Sequence, residues 1–243
     1  VVVNAEADKS VYKAIPLSLP AGTYFIKVSG GNSYQAGQSY SVWYETAEPV
    51  GMYELELNNT LSEANLISGS YDTAKGVEKW EIISGTVNHP NDMDYYQLDV
   101  KMTASLDIVF SSLKYAGSYT LSLMVQESEI DAIKVTGGTD GTLPVVLFPG
   151  TYFLKATGNG VDVQDQYTIS VMQAGGDEDR EIEPNNGQNF ANSIGQDVAK
   201  VGRLYSENDK DYFTIYFAEP GPMMLNFVPL DGIKYTVSFF NSE

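Results

Sequence analysis

Internal repetition is the feature that most restricts how this 243-residue chain can fold. Three kinds of segment occur twice, each time in the same order along the chain. Repetition at this spacing predicts several copies of one domain rather than a single large fold. The repeated segments are PAGTYFIK (20–27) and FPGTYFLK (148–155), ELELNN (54–59) and EIEPNN (181–186), and NDMDYY (91–96) and NDKDYF (208–213).

The order of these segments divides the chain into three parts. Residues 1–48 contain only the closing segments of the repeat, residues 50–173 contain all of them, and residues 179–243 contain only the opening ones. We therefore predict one complete domain between two complementary halves, with a flexible, charged linker, GGDED, at 175–179.

An isolated half domain leaves apolar faces and strand edges uncovered. The hypothesis is therefore that residues 1–48 and 179–243 complete one another. They would pair within one chain, or between successive chains to give a head-to-tail filament. The alternative is that the chain is a piece of a longer tandem array.

Short alternating runs of apolar and polar residues predict the fold class. Residues 119–125 (YTLSLMV) alternate with period two, as half-buried strands do. Gly and Pro interrupt such runs at intervals of roughly ten residues, which is typical of antiparallel sandwiches. The prediction is an all-β chain of tandem antiparallel β-sandwich domains, with brief helical turns only near 62–65 and 188–193.

The charge of the chain excludes several partners. Asp and Glu number 32 against 14 Lys and Arg, a net charge of −18, so nucleic acids and anionic lipid surfaces would be repelled. Cys is absent, which excludes thiol catalysis and Cys-based zinc sites. No run of 18 apolar residues predicts a membrane span, and an export signal would have to lie upstream of Val1.

Taken together and in order, the repeated motifs resemble the bacterial pre-peptidase C-terminal domain, a relative of the collagen-binding domains of bacterial collagenases. The motifs are Glu-x-Glu-Pro-Asn-Asn, Asn-Asp-x-Asp-Tyr-Phe, Pro-Gly-Thr-Tyr-Phe and a final Tyr-led strand, and they cover nearly the whole chain. The resemblance implies a jelly-roll-like sandwich of a secreted, extracellular or cell-surface protein.

The collagenase relatives also imply Ca²⁺ at the N-terminal edge of each domain. Carried over by motif, the ligands of the later copy are Glu181, Glu183, Asn185, Asn186, Asn208, Asp209 and Asp211. Those of the complete copy are Glu54, Glu56, Asn58, Asn59, Asn91, Asp92 and Asp94.

The residue types fit this implication. Ca²⁺ prefers six to eight oxygen ligands, and each cluster offers four carboxylates and several amides. Spacing of two places alternate side chains on one side of an extended segment. The alternative is that these residues form only Asx-turns and solvated edges. The complete copy departs from the pattern in having Leu57 where the later copy has Pro184, and in an extra loop that we place within 71–80.

Motifs for catalysis are missing from the sequence. The single histidine, His89, lies in a predicted turn, and no nucleophile motif, phosphate loop or zinc-protease motif accompanies it. The chain is therefore predicted not to be an enzyme. Most of its clustered aromatics are expected in the core, although exposed ones would suit stacking on sugars or packing on collagen. The clustered aromatics are Tyr34, Tyr40, Trp43, Tyr44, Trp80, Tyr95, Tyr96 and Tyr115.

Two functions remain open from the sequence. The first is a calcium-stabilised structural or adhesion repeat protein that self-associates head-to-tail or binds other surface proteins. The second is a substrate-targeting module, carbohydrate- or collagen-binding, of a secreted hydrolase.

Overall fold

The structure is a computed structural model of the chain. It describes residues 17–30, 37, 39–46, 52–72, 77–87, 91–112, 117–159, 166–175, 179–204, 209–229 and 231–241. His89, Asn208, Tyr34 and Tyr115, which the sequence singled out, lie outside the described residues. Within these described ranges, the structure contains no helix that could span a membrane.

The described residues form strands and two 3₁₀ turns, so the predicted all-β class is confirmed. The turns, at Leu61–Glu63 and Gln188–Phe190, fall where the sequence indicated brief helical segments. The strands are β1 (Met52–Tyr53), β2 (Asn65–Leu66), β3 (Gly69–Asp72), β4 (Val77–Trp80), β5 (Ile83–Thr86), β6 (Met93–Val100), β7 (Ala104–Ser112), β8 (Ser118–Val125), β9 (Ser128–Thr136), β10 (Asp140–Leu147), β11 (Gly150–Asn159), β12 (Gln166–Gln173), β13 (Asn192–Ser193) and β14 (Phe213–Thr214).

Twelve of these strands form two sheets within residues 52–173. One sheet has seven strands, in which β12 pairs with β4, β5 and β7, and β7 pairs in turn with β10. The other has five strands in the order β2-β6-β11-β8-β9. Pairing between the long strands is antiparallel, while the two-residue strands β1 and β2 pair in parallel with β5 and β6.

The core lies between the two sheets because the long strands bury every second side chain. β6 and β7 alternate strictly between buried and half-buried positions over most of their length. Phe110 and Tyr167 of the seven-stranded sheet contact Tyr119 of the five-stranded sheet, with ring centroids 6.1 and 5.7 Å from that of Tyr119. Aromatic contacts of this kind add to the burial of apolar area and join the two layers.

The extra loop of the complete copy includes the hairpin of β3 and β4. Main-chain hydrogen bonds from Ile67 to Gln97 and from Ile194 to Thr214 mark the same position in the two copies. The hairpin follows this point and pairs with β12 through Met172. The insertion therefore extends the seven-stranded sheet and leaves the neighbouring acidic segments in place.

The segments on either side of the complete sandwich contain few strands. The described residues of 17–46 contain none, and those of 179–241 contain only the short pair β13 and β14. Their large apolar side chains are exposed, with Phe25 at 93%, Tyr216 at 89% and Val228 at 91%. The division into one complete and two half domains, and the pairing of the halves, stay predictions.

Candidate metal centres

The first acidic cluster lies where residues 54–58 run beside the start of β6. Glu54, Glu56 and Asn58 are buried, whereas Leu55 and Leu57 between them point outward. The main-chain amide of Tyr95 donates to the Asn58 carbonyl at 2.9 Å, which fixes the register of the two segments. Asp92 and Asp94 then project from the β6 side and are also buried.

Several oxygens in this first cluster are placed as cation ligands. Carboxylate oxygens of Glu56, Asp92 and Asp94 lie within 4.8 Å of one another. Within the described residues, Glu56 Oε1, Asp94 Oδ1 and both polar side-chain atoms of Asn58 are buried without a hydrogen-bond partner. An unsatisfied buried polar group costs about 1–3 kcal/mol, so this arrangement favours an additional ligand.

Two tyrosines occupy the other side of the first cluster. Glu54 Oε1 accepts hydrogen bonds from the Thr86 main chain (2.6 Å) and hydroxyl (2.9 Å), and Glu54 Oε2 accepts one from Tyr96 (2.9 Å). The Tyr167 hydroxyl lies 2.6 Å from Asp94 Oδ2, 2.6 Å from the Tyr96 hydroxyl and 3.2 Å from Glu54 Oε2. Glu54 is thus bonded within the sandwich, and its role as a metal ligand stays a prediction.

The second acidic cluster repeats this arrangement at residues 181–185 and 209–211. Glu181, Glu183 and Asn185 are buried in alternation, and Asp209 is buried beside them. Carboxylate oxygens of Glu181, Glu183 and Asp211 lie within 4.8 Å of one another. In the described part of the chain, Glu183 Oε1, Asn185 Oδ1 and Asp211 Oδ1 are buried and unpartnered.

The same hydrogen bonds build both clusters. Asn59 Oδ1 accepts from the Met93 amide at 3.0 Å, and Asn186 Oδ1 accepts from the Lys210 amide at 3.1 Å. These oxygens connect the two acidic segments of each cluster. Their use as metal ligands stays a prediction, as does that of Asn91, whose side chain is exposed.

Two further asparagines support the clusters, and the sequence reading missed them. Asn65 Oδ1 accepts from the Leu55 amide (2.6 Å) and its Nδ2 donates to the Leu55 carbonyl (3.1 Å). Asn192 makes the same pair of bonds with the main chain of Ile182. Their equal distance from the Glu-x-Glu motifs was the available signal, since each follows its motif by the same number of residues.

The second cluster also contacts the complete sandwich. The Glu183 amide donates to the Val146 carbonyl at 2.8 Å, next to the end of β10. Arg203 Nη1 lies 3.6 Å from Asp131 Oδ2 of β9, whose side chain is 6% exposed. This candidate metal centre therefore lies at the contact between the complete sandwich and the segment that follows it.

Burial raises the pKa values of the clustered carboxyl groups. The pKa of Glu56 rises to about 8, because burial and then the charges of Glu54 and Asp92 disfavour ionisation. In the second cluster, burial and then the charge of Glu181 raise the pKa of Asp211 to about 8. Burial likewise raises the pKa of Glu183 to about 7. A bound divalent cation would favour the ionised form of these groups.

No protein-family profile matches the sequence. The chain is 24% identical over 200 residues to collagenase ColA of Clostridium perfringens (strain 13 / Type A). The predicted relationship to collagenase-associated domains is confirmed. The match covers 78% of this chain but only 17% of the length of collagenase ColA.

Solved structures similar to this chain include two small domains. One is the pre-peptidase C-terminal domain of collagenase from Bacillus anthracis, at 19% identity, with 44% of this chain and 93% of that chain covered and a TM-score of 0.32. The other is the carbohydrate-binding module CBM36 in complex with calcium and xylotriose. Its identity is 12%, with 44% of this chain and 92% of that chain covered and a TM-score of 0.25.

We expect the protein without divalent cations to lose stability as the pH rises from about 5 to about 8. A carboxyl group whose pKa is higher in the folded than in the unfolded state stabilises the fold at pH values below its unfolded-state pKa. This contribution to stability is lost as the pH rises through the folded-state pKa. Glu56 and Asp211 set the upper end of the range, since both pKa values are about 8. Thermal unfolding in a chelator at several pH values measures the effect.

The variant Glu56→Gln should flatten this pH dependence, because it removes one of the titrating groups. Glu81→Gln, at an exposed position, is the matched control and should leave the profile unchanged. A midpoint that rises with pH over this range in the chelator would contradict the assignment.

Proposed function

We propose that the chain is a non-catalytic extracellular module, structural or adhesive, whose two acidic clusters bind Ca²⁺. The observation that carries this proposal is the pair of buried asparagines. Asn58 and Asn185 are both 0% exposed, and the side-chain oxygen of each lacks a hydrogen-bond partner among the described residues. Each amide oxygen lies in a cluster of carboxylates, which is the mixed oxygen environment that Ca²⁺ prefers.

The donor set of each cluster fits the cation. Glu56, Asn58, Asp92 and Asp94 would hold it in the complete sandwich. Four side chains that each bind through one oxygen supply fewer than the six to eight ligands of Ca²⁺. In flexible calcium sites, bidentate carboxylates and water molecules occupy the remaining coordination positions. Bound Ca²⁺ would also offset the repulsion among carboxylates in a chain of net charge −18.

Glu183, Asn185, Asp209 and Asp211 form the corresponding set in the second cluster, and Glu181, the counterpart of Glu54, has a carboxylate oxygen within 4.8 Å of those of Glu183 and Asp211. Because Glu183 also bonds to Val146, a cation held there would stiffen the contact between consecutive sandwiches. This is the property expected of a structural repeat, in which neighbouring units must keep a fixed orientation. The sequence similarity to collagenase ColA supports the extracellular assignment.

The structural role includes self-association. Residues 1–48 and 179–243 carry complementary parts of the repeat. Among the described residues of both, apolar side chains are exposed whose counterparts in the complete copy lie in the core. Pairing of the two segments from successive molecules would cover these groups and produce a head-to-tail filament.

A second function is favoured by the alignment with collagenase ColA and by an exposed aromatic group. Tyr40, Trp43 and Tyr44 are 57–83% exposed, unlike the buried Trp80 and Tyr96. A substrate-targeting module would use such side chains to stack on a polysaccharide or to pack on collagen. Pulldown on insoluble collagen and polysaccharides separates the two functions. Retention that Trp43→Ala abolishes would favour targeting, and no retention would favour the structural role.

Calcium titration into chelator-treated protein should show two binding events. Asp94→Asn should remove the event at the complete sandwich and Asp211→Asn the other, because each variant loses one charge from one cluster. At a calcium concentration 100 times Kd, each site should stabilise the folded state by about 2.7 kcal/mol. Isothermal titration calorimetry and thermal unfolding measure both quantities.

The matched control is Asp99→Asn, which changes a partly exposed carboxylate on the same strand as Asp94. It should leave both binding events intact. Absence of binding heat together with an unchanged unfolding midpoint would remove calcium from the proposal.

Self-association predicts a molar mass that increases with concentration in light scattering. The driving force is burial of side chains such as Ile26 and Phe227, which are 69% and 53% exposed in the single chain and whose counterparts Leu154 and Phe110 are fully buried. A mass of 26.6 kDa at every concentration would exclude the filament.

A further inference from the structure

In the complete sandwich, Gly85 makes room for Tyr167. The two residues are direct partners in the antiparallel pairing of β5 and β12. A Cβ atom on Gly85 would lie 2.3 Å from the Tyr167 hydroxyl and 2.6 Å from Glu54 Oε2. Any larger residue would therefore displace the hydroxyl that lies between Glu54 and Asp94.

Gly202 takes the position of Gly85 in the second cluster. The Glu181 amide donates to the Val201 carbonyl at 3.0 Å, as the Glu54 amide donates to the Ser84 carbonyl at 3.0 Å. The Arg203 amide donates to Glu181 Oε1 at 2.6 Å, as the Thr86 amide does to Glu54. The main chain that frames the site is thus the same.

The atoms beside Gly202 differ from those beside Gly85. The three atoms nearest to a Cβ on Gly202 all belong to Glu181 and Asp211, at 2.9–3.4 Å, whereas a tyrosine hydroxyl is nearest at Gly85. Phe213, which replaces Tyr96 in the repeat, has no hydroxyl to donate. In the described part of the chain, the second cluster therefore has its glycine but no tyrosine between its carboxylates.

Tyr40 is the counterpart of Tyr167 in the first partial repeat. Tyr40-Ser41-Val42 and Tyr167-Thr168-Ile169 both follow a Gly-Thr-Tyr-Phe segment. The two segments share a local structure, because Tyr24 donates to the Pro20 carbonyl (2.8 Å) as Tyr152 does to the Phe148 carbonyl (3.0 Å). The Tyr40 side chain is 68% exposed, whereas that of Tyr167 is fully buried.

In the two segments that contain Tyr40 and Gly202, exposed apolar residues correspond in the repeat to core residues of the complete sandwich. Ile26 is 69% exposed where its counterpart Leu154 is 0% exposed. On the other segment, Phe227 is 53% exposed where its counterpart Phe110 is 0% exposed. Each segment therefore carries one side of a sandwich core that the other side would cover.

The two segments contact opposite ends of the complete sandwich. The Ser18 carbonyl accepts from the Glu56 amide at 2.8 Å, beside the start of β6. The Val146 carbonyl accepts from the Glu183 amide near the other end of β6, where Val100 pairs with Gly150. The length of β6 between these ends is about 26 Å, since a strand rises about 3.3 Å per residue. This separation favours pairing between two molecules over pairing within one.

We propose that Tyr40 of one copy of the chain inserts beside Gly202 of a second copy, where its hydroxyl lies between Glu181 and Asp211. The inserted strand pairs with residues 200–203 in the register of β12 with β5. This inference rests on the proposed self-association and names the residues that carry it. The contacts from Glu56 to Ser18 and from Glu183 to Val146 are equivalent, so every sandwich of the filament meets the next in the same way.

Disulfide trapping tests the register directly, because the chain contains no Cys. Ser41 and Val201 correspond to the paired residues Thr168 and Ser84. Direct partners in antiparallel strands have Cα atoms about 4.5–5.5 Å apart, within the range that a disulfide bridges. Oxidation of a mixture of Ser41→Cys and Val201→Cys chains should yield a covalent dimer that contains one chain of each kind.

The matched control replaces Ser41→Cys by Glu45→Cys, four residues along the same exposed segment and about 13 Å away. This mixture should not form the dimer. A chain that carries both Ser41→Cys and Val201→Cys should form covalent oligomers. A cross-linked monomer would overturn pairing between molecules, and no cross-link in either format would overturn the interface.

Tyr40→Phe tests the hydroxyl itself. Loss of a hydrogen bond to a carboxylate should weaken association about tenfold or more, measured by sedimentation velocity. Tyr44→Phe, at a side chain 83% exposed, should leave association unchanged. Equal association of Tyr40→Phe and the unaltered chain would overturn the role of Tyr40. Calcium binding at the Glu56 cluster is measured separately, so failure of the interface is distinguished from failure of the calcium site.

Discussion

A tyrosine placed between two buried carboxylates is the interaction on which the complete sandwich depends. Glu54 lies just after β1, Asp94 lies on β6 and Tyr167 lies on β12, so the contact joins the opening of the domain to its last strand and one sheet to the other. Burying a carboxylate costs several kcal/mol unless donors surround it. Thr86 and Tyr96 supply further donors to Glu54, and this satisfied network fixes the opening segment against the sheets.

The two oxygens of a single carboxylate in this cluster have different roles, one in hydrogen bonding within the protein and the other as a candidate cation ligand. Asp94 Oδ2 lies beside the Tyr167 hydroxyl, whereas Asp94 Oδ1 is buried and has no hydrogen-bond partner among the described residues. One side of the cluster is therefore complete within the protein. The other side has the buried oxygens and the raised pKa values expected of a site that needs a cation to ionise fully.

Much of this was predictable from the sequence because it depends on local periodicity. The Glu-x-Glu-x-Asn spacing predicted that Glu54, Glu56 and Asn58 lie on one side of an extended segment, and the structure shows all three buried. Period two likewise predicted the strands. The separate roles of Glu54 and Glu56 were not predictable from the sequence. The two side chains are identical and lie on one segment, and they differ only in the hydrogen-bond donors that strands later in the chain place beside them. Tyr167 reaches Glu54 across 113 residues, a pairing that residue type alone does not reveal.

Comparison with the second cluster indicates which hydrogen-bond donors of the first cluster come from tyrosine. Glu181 receives main-chain and amide donors, from Arg203 at 2.6 Å and Asn185 at 3.0 Å, but Phe213 contributes no hydroxyl. Amide donors of this kind come from within the opening segments, whereas the tyrosine of the complete copy comes from the closing ones. An opening half can therefore arrange its carboxylates by itself. In the proposed assembly a closing strand supplies the bridging tyrosine, which would couple the chemistry of the acidic cluster to the completion of the sandwich.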